Sequence, residues 1–99
     1  MENKQVAFSE HVLPAQLDIR AVESFYEEIK KLSERTTHIT LDASKVERLT
    51  TPCVQIILSL AKYLTASGGA LKITSPTVVF SLAFTDLGFS RNLKEWSAA

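Results

Sequence analysis

Little in this sequence offers a place for catalysis to start. One cysteine, Cys53, stands in 99 residues, so no internal disulfide can form and a reducing cytoplasm is the expected compartment. Neither charge sign is in excess, because eleven Lys and Arg balance eleven Asp and Glu. A chain without a net field has no general pull toward nucleic acid or an anionic membrane. Long hydrophobic runs are missing too. The most apolar stretch, Val54 to Leu64, is interrupted by Gln55, Ser59, Lys62 and Tyr63, and it falls short of the roughly 20 apolar residues that cross a bilayer. Met1 to Gln5 carries mixed charge with no apolar segment behind it, so a secretory signal is not expected. No internal repeat or low-complexity linker divides the chain, and residues 1–99 read as one small domain with a single core.

Cofactor chemistry is equally sparse. His11 and His38 lie far apart, no cluster of His, Cys, Asp and Glu has metal-ligand spacing, and no metal is expected. Gly68-Gly69 follows a helical pattern instead of preceding one, so it reads as a turn and not as a phosphate cradle. No cofactor is expected. Cys53 falls in the first turn of an expected helix, where thiols are often activated. No arginine follows at Cys-x5-Arg spacing and no second cysteine makes Cys-x-x-Cys, so a packed thiol is the stronger reading and an enzyme is not expected. Phe80, Phe84, Phe89 and Trp96 gather late in the chain. Core packing is their plainer role, with an exposed Trp96 as a possible partner contact.

Periodicity supplies the architecture. Lys4 to Phe8 and His11 to Leu13 are short, partly apolar segments able to pair as an opening hairpin, with Pro14 disturbing the second. Ile19, Val22, Phe25, Tyr26, Ile29 and Leu32 recur at spacings of three and four, the mark of an amphipathic helix, with Asp18 as its cap. Glu27 and Lys31 form a favourable i,i+4 pair on the opposite face. His38 to Asp42 alternates as a strand should, and Asp42 to Lys45 looks like a turn. Thr50-Thr51-Pro52 announces a second helix by hydroxyl cap and N1 proline. Val54, Ile57, Leu58, Ala61 and Leu64 line its face, broadened by Ile56 and Leu60, and Gly68-Gly69 ends it. Ala70 to Ile73 supplies another strand, and Thr74-Ser75-Pro76 repeats the start signal. A third helix follows through Val79, Phe80, Ala83, Phe84 and Leu87 to a stop at Gly88. Residues 90–99 read as a poorly packed tail with one short helical turn around Leu93 and Trp96. Strands alternating with helices imply parallel pairing through right-handed crossovers, so the fold class is α/β, a small mixed sheet with packed helices. Function in such folds collects in loops at the carboxyl ends of strands, and the most unusual loop here is Arg48 to Cys53.

In chain order these segments resemble the STAS family, named for sulfate transporters and anti-sigma-factor antagonists. Ile39-Thr40-Leu41-Asp42-Ala43-Ser44-Lys45-Val46 is similar to the family's "vxLDlSgV", and Leu49 to Leu58 stands where "iDSSGlxxLl" is found. Ala66 to Ile73 resembles "xxGgxlxlv", and Ser75-Pro76 to Leu87-Gly88 resembles "sPxvxxxlxxtGl". The resemblance covers about Val6 to Leu93, and the chain ends soon after, leaving little room for the family's last strand and closing helix. It implies a regulatory module that binds protein and does not turn over a substrate. In bacterial anti-sigma-factor antagonists the residue after the loop aspartate is phosphorylated by a kinase of the GHKL ATPase type, a place that falls on Thr51. This chain departs from the pattern, with Thr50 for the aspartate, Pro52 for the next small residue and Cys53 for the glycine. Thr-Thr-Pro-Cys followed by Val-Gln-Ile-Ile-Leu also looks like a short STAS subgroup of alphaproteobacterial chemotaxis gene clusters. The resemblance therefore implies docking on a chemotaxis histidine kinase, with an anti-sigma-factor antagonist or a subunit of a lipid-transport ABC complex as alternatives. Thr50, Thr51, Pro52, Cys53 and Val54 are the expected partner-binding residues.

A phosphate on Thr51 would meet the partial positive charge of a helix N-terminus. It would add roughly −1.5 to −2 charge to a docking surface, enough to break contact with a partner. Thr51 also fits the plain role of cap for the second helix, and the two roles are compatible.

Overall fold

The computed structural model describes residues 7–97. Three strands, β1 (Ser9–Val12), β3 (His38–Asp42) and β5 (Ala70–Thr74), form a sheet in the order β1-β3-β5, and both pairings are parallel. A second ladder joins the two-residue strands β2 (Gln16–Leu17) and β4 (Arg48–Leu49), again in parallel. Among the described residues no antiparallel pair is present. The expected hairpin is corrected in part: Ser9 and Glu10, which would have formed its turn, lie within β1, and β1 pairs with β3 from Ser9↔Ile39 to Val12↔Asp42. Its opening strand, Lys4 to Phe8, lies mostly outside the described residues. Pro14 acts as expected, since the last ladder bond is donated by Leu13 N–H to the Asp42 carbonyl at 2.9 Å.

Asp18 accepts a hydrogen bond from Arg20 N–H at 3.0 Å and caps a 3-10 turn, Ile19–Ala21, which leads into α1 (Val22–Arg35). Phe25, Ile29 and Leu32 are buried as their spacing requires, whereas Ile19 and Tyr26 remain exposed. Ile19 belongs to the tighter turn, where three residues per revolution displace it from the apolar stripe of the helix that follows. The expected Glu27–Lys31 pair is not formed. Among the described residues the ion pairs are His11–Glu28 and Arg20–Asp18.

Helix α2 (Thr51–Ala66) buries Cys53, Val54, Ile57, Leu60, Ala61 and Leu64. Its exit is a complete Schellman motif: Gly69 N–H donates to the Leu64 carbonyl at 2.7 Å and Gly68 N–H to Thr65 at 3.1 Å, with Gly68 at φ +81°. The same motif closes α3 (Val78–Asp86), where Phe89 N–H reaches Phe84 and Gly88 N–H reaches Thr85. The start of α3 differs from expectation. Thr77 is its cap, accepting from Phe80 N–H at 3.1 Å while its hydroxyl donates to the Val46 carbonyl at 2.8 Å. Pro76 therefore precedes the helix, and Ser75 turns the chain at φ +51°.

The short helix expected around Leu93 and Trp96 is present, and only the poor packing of the tail is corrected. Ser90–Ser97 forms α4, with Leu93 in the core and Trp96 edge-on to Phe84 at 5.6 Å between ring centroids. The core runs from Leu13 and Leu17 through Ile39, Leu41, Val46, Ile57, Leu64 and Ile73 to Phe80 and Phe84, and it contains no buried polar or charged side chain among the described residues. No helix among the described residues is long and apolar enough to cross a membrane.

Candidate functional site

The site lies where the β2–β4 ladder ends and α2 begins. Ala15 O accepts from Glu47 N–H at 2.8 Å and from Arg48 N–H at 3.0 Å, and Gln16 binds the Glu47 carboxylate at 3.0 Å. The ladder continues as Leu17 O accepts from Thr50 twice, from N–H at 3.0 Å and from the hydroxyl at 3.2 Å. Thr50 carries extended backbone angles, and its carbonyl accepts the first helical bond from Val54 N–H at 3.0 Å. Thr50 is thus the capping position of α2, but its side chain is turned away from the helix and toward Leu17.

That assignment shifts Thr51 into the first helical position, with Pro52 next. The capping role open to Thr51 is not taken, because the cap position is Thr50. Thr51 is instead exposed, and its side chain enters no hydrogen bond among the described residues. Proline in the first turn lacks an N–H that would have had no helical acceptor, so it locks the entry at no cost in hydrogen bonds.

Two of the five expected contact residues are corrected. Cys53 and Val54 are fully buried, because the first turn of α2 already faces the sheet, and their side chains present nothing to a partner. Burial pushes the Cys53 thiol up, against a smaller opposite effect from the neighbouring Thr50. A buried thiol held in its neutral form is a poor nucleophile. The surface of the loop is therefore Thr50, Thr51 and Pro52.

One neighbouring surface was missed in the sequence. Helix α3 packs beside β4, and its cap Thr77 is tied to Val46 in the turn before that strand. Phe80 and Phe84 point into the core, while Val78 is 74% exposed, Leu82 52% and Val79 43%. Exposed apolar side chains on one face of a short helix are candidates for an interaction surface. The signal was legible in the run Val78-Val79-Phe80-Ser81-Leu82-Ala83-Phe84, which is apolar around most of the helix and not along one stripe.

Among the described residues no group of three or more His, Cys, Asp or Glu is placed to hold a metal ion. His38 packs edge-on to Phe8 and contacts Thr37, and His11 faces Glu28.

A family model described as "Mlab, STAS domain" matches residues 12–95. No curated protein matches the chain. Among solved structures, the fold is similar to the crystal structure of a Thermotoga maritima protein, tm1081, assigned as an anti-sigma factor antagonist. The TM-score is 0.72 and the identity 20%, over 88% of this chain and 78% of that one. The anti-sigma factor antagonist SpoIIAA, in its unphosphorylated form, gives a TM-score of 0.72 at 20% identity, over 96% of this chain and 83% of that one. An NMR structure of TM1081 gives 0.65 at 18%, over 98% and 87%.

Proposed function

The chain belongs to the STAS family, its "Mlab, STAS domain" model matching residues 12–95, and from that premise we propose that it is a regulatory module that docks on a signalling protein through the start of α2. The observation that carries this reading is the exposed entry of α2. Thr51 and Pro52 stand there with no internal task for the Thr51 hydroxyl, and α3, which packs on the β4 strand leading into that entry, leaves Val78 and Leu82 exposed. Polar, adjustable contact at the loop and apolar area on α3 together make the core-and-rim pattern of a protein interface. The partner class is a kinase of GHKL ATPase type, with the chemotaxis histidine kinase as the narrower choice. Such docking belongs to the cytoplasm.

Binding of the purified protein to the isolated ATPase domain of that kinase, followed by calorimetry, tests the reading. Thr51→Ala binds like the wild type, whereas Thr51→Glu and Leu82→Glu each weaken binding by about tenfold or more, the equivalent of about 1.4 kcal/mol. Undiminished binding by both glutamate variants overturns the assignment of this face.

A second reading, phosphorylation of Thr51 as in an anti-sigma-factor antagonist, is favoured by the exposure of that hydroxyl. Thr50 separates the two readings. A carboxylate at position 50 cannot donate to Leu17 O as the threonine does, so this loop is held by a bond that the family aspartate cannot make. Incubation with the active kinase and ATP, followed by mass spectrometry of the peptide containing Thr51, decides between a switched and a fixed docking face.

A further inference from the structure

Strand β5 ends the sheet order β1-β3-β5, so one of its edges has no neighbouring strand among the described residues. The ladder to β3 fixes which backbone groups that leaves over. Ala70 N–H donates to Thr37 O and Ala43 N–H donates to Thr74 O, both at 2.9 Å. In the parallel register Ala70, Lys72 and Thr74 therefore turn their backbone groups toward β3, and Leu71 and Ile73 turn theirs to the open edge. No N–H or C=O of Leu71 or Ile73 has a hydrogen-bond partner among the described residues. Water does not replace one, because Leu71 is 7% exposed and Ile73 only 2%. Buried backbone groups without partners are rare, since each costs about as much as a lost hydrogen bond.

Helix α4 is the element that packs against β5 and hides this edge. A helix satisfies its backbone groups within itself, so it covers the edge without pairing it. Its hold is slight. Leu93 is its one buried side chain, and half-buried Trp96 rests on Phe84, while Arg91, Lys94 and Glu95 are exposed. An open cleft, lined by Asn92 and Glu95 on one side and Leu58 and Lys62 on the other, separates part of α4 from α2. Eight residues make a helix too short to persist without tertiary support.

We propose that α4 is a displaceable cover and that the β5 edge beneath it takes up an extended segment of another protein as a further strand. Extended backbone is the chemistry that answers a row of outward N–H and C=O groups. The side chains of that segment follow from what flanks the edge. On the face of Leu71 and Ile73 it stands in for Leu93 and Trp96, so alternate residues are apolar. On the other face it lies beside Lys72, exposed with its ammonium 4.2 Å from the centre of the Phe8 ring, so the residues between are acidic. A second copy of this chain is the poorer occupant. Paired about a two-fold axis, Leu71 against Ile73, it would set Lys72 directly opposite Lys72, and like charges there are destabilising. The edge shares no residue with the docking face at the start of α2.

Hydrogen exchange of the full chain tests the cover without any partner. The amides of Leu71 and Ile73 exchange about tenfold or more faster than those of Lys72 and Thr74, because opening of α4 alone frees them while the ladder to β3 stays closed. Equal protection along β5 overturns the proposal. The probe for the edge is a blocked peptide of about seven residues alternating valine and glutamate, titrated into the ¹⁵N-labelled protein. Saturable downfield shifts of the Leu71 and Ile73 amide protons are expected, with a red shift of Trp96 fluorescence at the same midpoint. The same peptide with lysine for glutamate binds more weakly, and Lys72→Glu inverts that order. Leu93→Ala and the milder Trp96→Ala loosen α4 and tighten the glutamate peptide by about tenfold, since a larger fraction of molecules is then open. Weaker binding by both variants, no saturable binding by either, or shifts confined to the α2–α4 cleft or the Thr51 loop overturn the proposal. So does a dimer in sedimentation whose Leu71 and Ile73 amides are protected, since a second copy would then hold the edge.

Discussion

Leu17 and Thr50 are joined twice, the Leu17 carbonyl accepting both the backbone N–H and the side-chain hydroxyl of Thr50 at 3.0 and 3.2 Å. This bond pair fixes the entry of α2 against the β2–β4 ladder and leaves the next residue, Thr51, free of internal duties. The two adjacent threonines therefore respond differently. Thr50→Val keeps the shape and deletes the hydroxyl bond, and it lowers stability in urea unfolding by about 1 kcal/mol. Thr51→Ala stays within about 0.5 kcal/mol of wild type, as an exposed site with no special contact should.

Thr77 performs two tasks with one oxygen, accepting from Phe80 N–H and donating to Val46 O. Thr77→Ala removes a helix cap and also strands a carbonyl, and about 1–2 kcal/mol of stability is lost. Thr77→Ser retains both bonds and recovers most of it. The comparison is read from unfolding midpoints at constant denaturant slope.

Gly68 and Gly69 fail for different reasons. A Cβ at Gly69 would collide with the backbone oxygen of Thr37, whereas at Gly68 it would meet nothing within 4 Å. Gly69→Ala must displace backbone and so prevents normal folding or costs well over 2 kcal/mol. Gly68→Ala keeps the packing and costs about 1–2 kcal/mol, because φ is positive there. Expression yield and circular dichroism of the two variants distinguish a clash from a conformational preference.

Burial raises the Cys53 thiol, so the folded protein holds its proton more tightly than the unfolded chain does. The stability that this contributes is fully present below the ordinary thiol range, about 8.5, and is lost as pH rises through the higher folded value. Thermal unfolding followed from neutral to alkaline pH shows a decline that Cys53→Ala reduces. Reaction of the native protein with a disulfide reagent is slow and becomes fast on adding denaturant. A fast native reaction contradicts the burial.

Leu93 anchors the C-terminal helix in the core at 7% exposure, next to the Phe84–Trp96 contact. Leu93→Ala costs about 2–4 kcal/mol, the range for a leucine deleted from a packed core. A loose tail would lose nothing measurable. Trp96 fluorescence reports the same event, moving to the red in the variant as the indole leaves Phe84.

Local signals located most of the elements. Alternation placed β3 at His38–Asp42 to the residue, and Gly68-Gly69 and Gly88 placed the two helix exits, since a Schellman turn needs a residue that tolerates positive φ. Helix starts were less legible. Thr50-Thr51-Pro52 and Thr74-Ser75-Pro76-Thr77 each hold several hydroxyls, and any of them satisfies a capping rule. What selected Thr77 was a carbonyl 31 residues away at Val46, and what drew Thr50 off the helix was Leu17, 33 residues away.

The same distinction holds for the site. Residue order alone determined an α/β chain of the STAS type and directed attention to the turn before α2, because apolar spacing, proline and glycine act within a few residues of themselves. Which of those side chains reaches solvent was decided only by packing. Cys53 and Val54 were drawn inward by the sheet, while Val78 and Leu82 were left outward because Phe80 and Phe84 already fill the core on the other side of α3. Exposure depends on what the rest of the chain brings alongside, and no local pattern carries that information.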